Sequence, residues 1–473
     1  MRKAKILATL GPATASKAMI ARLIEAGADA FRFNFSHGTH EEHRRLFQAA
    51  REASRDAGRH IPLVQDLQGP KIRVKLIGRD SVLLQEGATI CLTADGAHAG
   101  GDTVHVAYPP LLEDVKPGEP ILLDDGKLGL EVEKIAPPCV SCRVVQGGIL
   151  QDHKGVNLPG TRTSLSPITD KDRQDLAVGL ELGFDYVALS FVQSAADLRL
   201  LRAEMDLLGR RVPVIAKLER PLAVDTLEEI TDVADAIMVA RGDLGIEIKV
   251  QRVPVIQKRI IALANRKGVP VITATQMLES MLTATTPTRA ETTDIANAVY
   301  DGTDAVMLSG ETSAGRHPVE AVRMMQGIIS EAEDFPEGYT RFSAAYADIV
   351  GKDEITTAHL AATAARDMHL KAILIYTQSG RTATLVSKFR PRADIFAFCP
   401  HEEIVNKMGL LWGVTPIRFP LFDYTEGLIE ALNREMLYRG YGDVGDLVAI
   451  TYGSPIPVKN PSNMLKLHQI FRP

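Results

Sequence analysis

What this sequence lacks narrows its class. No apolar segment reaches the length of a membrane span, so no membrane partner is expected. The amino-terminal stretch MRKAKILATLGPAT has too short an apolar run for a signal peptide and leads into a turn. Four cysteines in 473 residues do not make a disulfide framework. A reducing, cytoplasmic setting is therefore expected. Cys139-Val-Ser-Cys142 is a lone CxxC with no second pair and no nearby histidine, and it reads as ordinary strand cysteines. Asn34-Phe-Ser36 fits a glycosylation sequon, which that setting leaves unused. Long basic runs are missing and the net charge is −5, so nucleic acid is a poor partner. There is no GxxxxGK[ST] loop either, so phosphates would be held by side chains and metal.

What remains is an ordinary soluble globular composition, 45% hydrophobic and 24% charged, long enough for two to four domains. The apolar segments Lys5–Gly11, Ala30–Ser36, Ile61–Leu67, Asp185–Phe191, Val212–Glu219, Ala236–Arg241, Val269–Thr275 and Ala305–Ser309 read as buried strands. Helical stretches alternate with them, among them Ser16–Ala26, His40–Asp56 and Pro318–Glu331. Eight such units predict an α/β fold, a closed parallel (β/α)8 TIM barrel, with a linear doubly wound sheet as the alternative. The rhythm breaks at Gly69-Pro70 and resumes near Asp170. Between them lie short strands punctuated by Gly, Pro and Asp, an all-β pattern. The expected division is barrel over 1–69, an inserted β lid over 70–166, barrel again over 167–343, and a small α/β domain over 344–473.

In the runs VPVIA and AIMVA charge enters only at the carboxyl ends, where ligands bind in such folds. Lys217 and Glu219 are two apart and share a face, and the next strand runs into Arg241-Gly242-Asp243. Glu219 and Asp243 suit a hard divalent cation, and Lys217 suits a developing oxyanion or a phosphoryl group. A rim ion pair is the plainer reading of these three alone. The other strand ends carry Arg32, Asn34, Ser36 and His37; Asp66, then Lys71 and Arg73; Ser190; Thr275; and Ser309 with Glu311. Basic groups, carboxylates and a hydroxyl on one face suit phosphoryl transfer, where catalysis is mostly positioning and charge stabilisation. Gly242 has no side chain to keep a ligand off its backbone. Farther on, Thr377-Gln378-Ser379-Gly380-Arg381-Thr382 combines hydroxyls, backbone N–H groups and an arginine at a helix start, an anion-site pattern or an ordinary capped helix.

The motifs NFSHG, DLQGPKIR, KGVNLPG, MVARGDLGIE, ATQMLESM, PTRAE and MLSGET occur in that order between Asn34 and Thr312. Together they resemble those of pyruvate kinases. The resemblance implies a barrel with a mobile β lid and a carboxyl-terminal regulatory domain, usually as a homotetramer. It implies that phosphoenolpyruvate and ADP are the substrates and Mg²⁺ (or Mn²⁺) the cofactor, held by Glu219 and Asp243. Lys217 would stabilise the transferring phosphoryl group, and Arg32 would bind phosphate. Gly242 and Asp243 would donate backbone N–H groups to the substrate carboxylate, and Thr275 would face the enolate as it is protonated. Asn34, His37, Arg73 and Lys154 would contact the nucleotide. Arg220 stands where an Asn is common and Thr292 where a Gly is common, with no loss of activity expected. Asn34, Ser36, Asp66 and Leu67 match a monovalent-cation site, but Lys71 stands where K⁺-requiring members have Glu, so K⁺ is not expected to be required. Thr377, Ser379, Gly380, Arg381 and Thr382 match an effector-phosphate site. The loop from Gly453 to Lys459 lacks the glycine-rich pattern of fructose-bisphosphate-activated members, which favours a monophosphate. The competing readings are a Mg²⁺-dependent barrel lyase acting on a pyruvate-like oxyacid and a catalytically silent metabolite sensor.

Overall fold

In the computed structural model, residues 2–98, 100, 103–335, 353–456, 458 and 460–472 are described. Eight parallel strands close into a barrel: β1 (Lys5–Leu10), β2 (Ala30–Asn34), β3 (Leu63–Asp66), β4 (Tyr186–Leu189), β5 (Val214–Leu218), β6 (Ala236–Ala240), β7 (Val271–Ala274) and β8 (Ala305–Leu308). They pair in chain order and β8 pairs back onto β1. Each lies within the bounds read from the sequence, so the closed barrel replaces the linear sheet. Strand alternation sorts the side chains. Ile6, Ala8, Phe31, Phe33 and Leu63 face the surrounding helices. Leu7, Ala30, Val64, Ile215, Met238, Ile272 and Met307 fill the interior, with Leu410 packed among them. Helix starts are capped where Thr precedes an acidic residue by three, as at Thr39 with Glu42 and Thr169 with Asp172.

Between β3 and the helix Asp170–Leu182 the chain builds a seven-stranded sheet. Its longest strands, Leu128–Ala136 and Cys139–Gln146, pair antiparallel. It has its own core around Leu92, Tyr108, Ile121, Leu130 and Val140. The run VLLQEGATICL is two strands, Ser81–Leu84 and Thr89–Thr93, parted by a turn in which Gly87 takes φ +81°. One reading of the cysteines needs correction. Cys139 is joined to Cys91 as a disulfide, with Cα atoms 5.6 Å apart, while Cys142 is free and buried. Cys139 is thus not an ordinary strand cysteine. Its partner is 48 residues away on a neighbouring strand, beyond the reach of any local motif.

The carboxyl-terminal region has a five-stranded sheet: β9 (Ala372–Tyr376), β10 (Asp394–Cys399), β11 (Val414–Arg418), β12 (Leu447–Tyr452) and β13 (Met464–Gln469), in the order β11-β10-β9-β12-β13, with only β13 antiparallel. It docks on the amino ends of the barrel strands. Asp304, fully buried at the foot of β8, receives Lys388 and, at 2.9 Å, Arg390. Lys388 also donates to Asn265 Oδ1 at 2.9 Å, and Arg390 stacks over Trp412 at 4.7 Å. Burial would raise the Asp304 carboxyl, but Arg390 and Lys388 outweigh it and hold it below its ordinary value. Burial draws the Lys388 ammonium down to about 8. Asp304→Asn leaves two buried cations facing each other without a counter-charge. Unfolding in urea should show a loss of ~3–5 kcal/mol. A loss within the ~0.5 kcal/mol of an ordinary surface change would mean the cluster does not hold the domains together.

Candidate active site

The inward-facing positions at the carboxyl ends of the barrel strands meet at one mouth. Thr9 of β1 lies beside Arg32 of β2, and Asn34 beside Asp66 of β3. The side chains then connect across the strands. Arg32 Nε donates to Asp66 Oδ2 at 2.5 Å and its Nη1 to Thr9 Oγ at 3.2 Å. Lys217 Nζ donates to Ser190 Oγ at 2.6 Å and to Glu219 Oε1 at 2.9 Å, and lies 3.3 Å from Asp66 Oδ1. Ser190 in turn donates to Leu67 O at 2.7 Å. Asp66, Glu219 and Ser190 are almost wholly buried, and Arg32 and Lys217 are each 9% exposed.

Burial would raise Asp66, but the adjacent Lys217 and Arg32 hold it below the usual carboxylate range. Lys217 is disfavoured by burial, yet Asp66 and Glu219 raise it above its ordinary value, so it stays an ammonium. Glu219 is pushed up, by burial first and by nearby Asp243, against the pull of Lys217. Its second oxygen accepts the N–H of Phe191 at 2.7 Å, and Phe191 takes φ +55° to present it. Asp243 sits in the short helix Arg241–Glu247 that begins where β6 ends. Beside it, the Gly242 N–H donates to Thr275 Oγ at 2.7 Å, and Thr275 Oγ donates to Ala274 O at 2.7 Å. Thr275 therefore bonds neighbouring backbone while also meeting Gly242.

A divalent cation fits this donor set. Among the described residues no cluster of three or more His, Cys, Asp or Glu makes a complete metal cage. Glu219, buried with one oxygen on Lys217 and the other on the Phe191 N–H, and the half-buried Asp243 are two carboxylates at the carboxyl ends of the strands, and Mg²⁺ is characteristically held by one or two carboxylates with substrate oxygens and water completing its shell.

Other expected residues lie farther out. Arg73 donates to His153 O at 2.9 Å, Lys154 pairs with Asp124 at 2.9 Å, and both sit where the lid joins the barrel. Lys71 is exposed, its Cε beside Gly155. Asn34 Oδ1 accepts from the Ser36 N–H at 3.2 Å, and His37 is exposed with its carbonyl bonded to His43. Glu311 braces the backbone, accepting from the Ser309 and Leu278 N–H groups at 2.7 and 3.0 Å, while the Ser309 hydroxyl is buried without a partner. The anion-site pattern lines a cavity of about 260 Å³ with Glu354, Gly453, Asn460 and Ser462. There Thr377 Oγ accepts from the Gly380 N–H at 3.0 Å, Thr382 bonds Ser462 at 2.6 Å, and Arg381 lies 3.5 Å from Glu354. The loop from Gly453 to Lys459 lies partly outside the described residues, at 457 and 459.

Sequence reasoning gave no part to Glu247 and did not reach the side-chain partners of Arg220 and Arg241. Arg220 is buried, bonds Thr163 Oγ at 3.0 Å and leaves its Nε unpartnered. Glu247 is raised by burial and accepts from Asn157 of the lid at 3.0 Å. Arg241 turns behind the mouth onto Asp294 and the end of β7. Their partners are distant in the chain, and only the unusual burial of charge distinguishes them.

Comparison with known proteins places these residues in a family context. Residues 1–322 match the model for "Pyruvate kinase, barrel domain" and residues 355–468 that for "Pyruvate kinase, alpha/beta domain". Among curated relatives, a pyruvate kinase of Mycobacterium intracellulare is 42% identical, over 99% of this chain and 98% of its own length. One of Corynebacterium glutamicum is 41% identical, over 99% and 97%. Among solved structures, a pyruvate kinase from Cryptosporidium parvum superposes with a TM-score of 0.94 at 34% identity, over 99% of this chain and 96% of that one.

Proposed function

This chain belongs to the pyruvate kinase family of phosphotransferases, and we propose that it moves the phosphoryl group of phosphoenolpyruvate onto ADP, giving ATP and pyruvate, with Mg²⁺ bound at Glu219 and Asp243. The observation that carries the assignment of roles is Lys217: a buried ammonium among Asp66, Glu219 and Ser190 at the mouth of the barrel, with Arg32 on the far side of Asp66. In the transfer, the bond from phosphorus to the enol oxygen breaks and one to a terminal oxygen of ADP forms. A proton then adds to the methylene carbon of the enolate. Mg²⁺, when bound, supplies charge neutralisation for the phosphoryl and carboxylate oxygens. Arg32 and Lys217 hold the phosphoryl oxygens, and Lys217 also meets the charge that grows on the enolate oxygen. The Gly242 and Asp243 N–H groups orient the substrate carboxylate, the Gly242 N–H being shared with Thr275 Oγ, and the Thr275 hydroxyl faces the carbon to be protonated. Asn34, His37, Arg73 and Lys154 contact the nucleotide, the last two from the lid's junctions. The lid comprises about residues 70–166, the boundary of the regulatory domain expected near 344 lies outside the described residues, and the enzyme works as a cytoplasmic homotetramer.

The cavity at Thr377, Ser379, Gly380, Arg381 and Thr382 takes a phosphorylated activator in this reading, a sugar monophosphate or nucleoside monophosphate. Its size and its hydroxyl and guanidinium lining support that. Lys71, five residues beyond Asp66 on the lid's junction, takes over the electrostatic role of K⁺ near Asn34, Ser36, Asp66 and Leu67.

Three measurements test these assignments. Lys217→Met should cut turnover by on the order of 10³-fold or more while Mn²⁺ still binds with near-wild-type affinity, since the ammonium acts mainly on the transition state. Glu219→Gln should weaken metal binding and activity together. Near-normal turnover in Lys217→Met would sink the role given to that residue. With tetramethylammonium as the only monovalent cation, the wild type should be fully active, and Lys71→Glu should acquire a K⁺ requirement. Strong activation of the wild type by K⁺ would remove Lys71 from that role. Titrating glucose 6-phosphate and AMP at sub-saturating phosphoenolpyruvate should lower its half-saturation point for at least one of them. No response to any phosphorylated metabolite would leave the cavity without a regulatory part.

A further inference from the structure

Thr275 is a β-branched residue with φ +68°, and Gln276 follows it with φ +55°. A β-branched side chain rarely takes that conformation, and such a turn persists only where its surroundings over-determine it. Besides the bonds of its own hydroxyl to Gly242 and Ala274, the turn is held by one side chain. Arg241 is buried, and its Nη2 donates to Thr275 O at 2.8 Å, to Gln276 O at 3.4 Å and to Met277 Sδ at 2.7 Å. Its Nε reaches Ala274 O at 3.4 Å. The guanidinium thus spans three consecutive carbonyls at the end of β7. Its Nη1 is anchored from behind by both carboxylate oxygens of Asp294, at 2.7 and 2.6 Å, with Gln257 Oε1 at 3.4 Å. Arg241 also immediately precedes Gly242, whose N–H meets Thr275 Oγ at 2.7 Å. One residue therefore fixes both partners of that contact, Gly242 through the chain and Thr275 through the fork.

We propose that Arg241 is a positioning residue for the protonation step: its planar fork, braced by Asp294, holds Thr275 in the left-handed turn that sets its hydroxyl against Gly242. A lysine cannot replace it, because an ammonium is a point donor and cannot span successive carbonyls. The inference rests on the reading that Thr275 faces the enolate, so the test separates the two.

The readout is exchange of the pyruvate methyl protons in D₂O, followed by NMR with Mg²⁺ and inorganic phosphate present, which reports proton transfer without phosphoryl transfer. Arg241→Lys should remain folded, keep its KM for phosphoenolpyruvate within about threefold, and lose exchange and kcat together by on the order of 10²-fold, as a misplacement of about 1 Å does. In a Thr275→Val background, Arg241→Lys should cost little more, since it acts through the same hydroxyl. Exchange at the wild-type rate in Arg241→Lys, with Thr275→Val impaired, overturns the inference alone. Wild-type exchange in Thr275→Val overturns the reading of Thr275 and this inference with it. Should Arg241→Lys fail to fold, Asp294→Asn, which loosens only the brace, should lose exchange by a smaller factor at an unchanged KM. Unchanged exchange in that variant assigns Arg241 to the core alone.

Discussion

Asp66 is the charge on which the mouth of the barrel depends. Two cations with almost no exposure, Arg32 and Lys217, would be prohibitively placed without a counter-charge between them, and Asp66 faces one with each oxygen. The same bonds fix where both cations point. Two cations against Asp66, Glu219 and Asp243 leave one negative charge over, and Glu219 is pushed up by burial first and by nearby Asp243 second. The two cations, Asp66 and Glu219 thus form one bonded network at the carboxyl ends of the strands. Charge fixed by bonded neighbours needs no rearrangement when the reaction begins.

Much of this was legible in the sequence because it follows from periodicity. A strand spacing of two put Lys217 with Glu219 and Arg32 with Asn34 on the inner face, and the strands gathered those ends at one mouth. Side-chain partners over long separations were not legible. Nothing local to Arg241 announces Asp294 or the carbonyls after β7. Nothing near Cys139 announces Cys91. β11 and β13 were not legible because they are only partly buried and lack a clean apolar run. Arg73 and Lys154 could be placed at the lid's junctions from their motifs, but their bonds to His153 and Asp124 belong to the fold of the lid itself.

The carboxyl-terminal region is coupled to the barrel by charge as well as by packing. The helix Arg381–Lys388 starts at the hydroxyl-lined cavity and ends in the Asp304 cluster. Asp304 immediately precedes β8, whose far end leads to Ser309 and Glu311. One helix and one strand therefore span the distance between the cavity and the mouth, and a buried ion cluster joins them.

The inserted lid also bears on how the barrel closes. β3 and β4 pair directly, Tyr186 beside Val64, although the whole lid lies between them in the chain. A tenfold longer flexible connection costs about 2 kcal/mol in closure entropy. A lid folded on its own core reduces that cost. Val74 N–H bonds Lys154 O at 2.9 Å and Val156 N–H bonds Ile72 O at 3.0 Å, so the insertion leaves the barrel where it entered. To the folding barrel, a lid already assembled on its own core is a short tether, and insertions within it lengthen the chain without lengthening the loop that β3 and β4 must close.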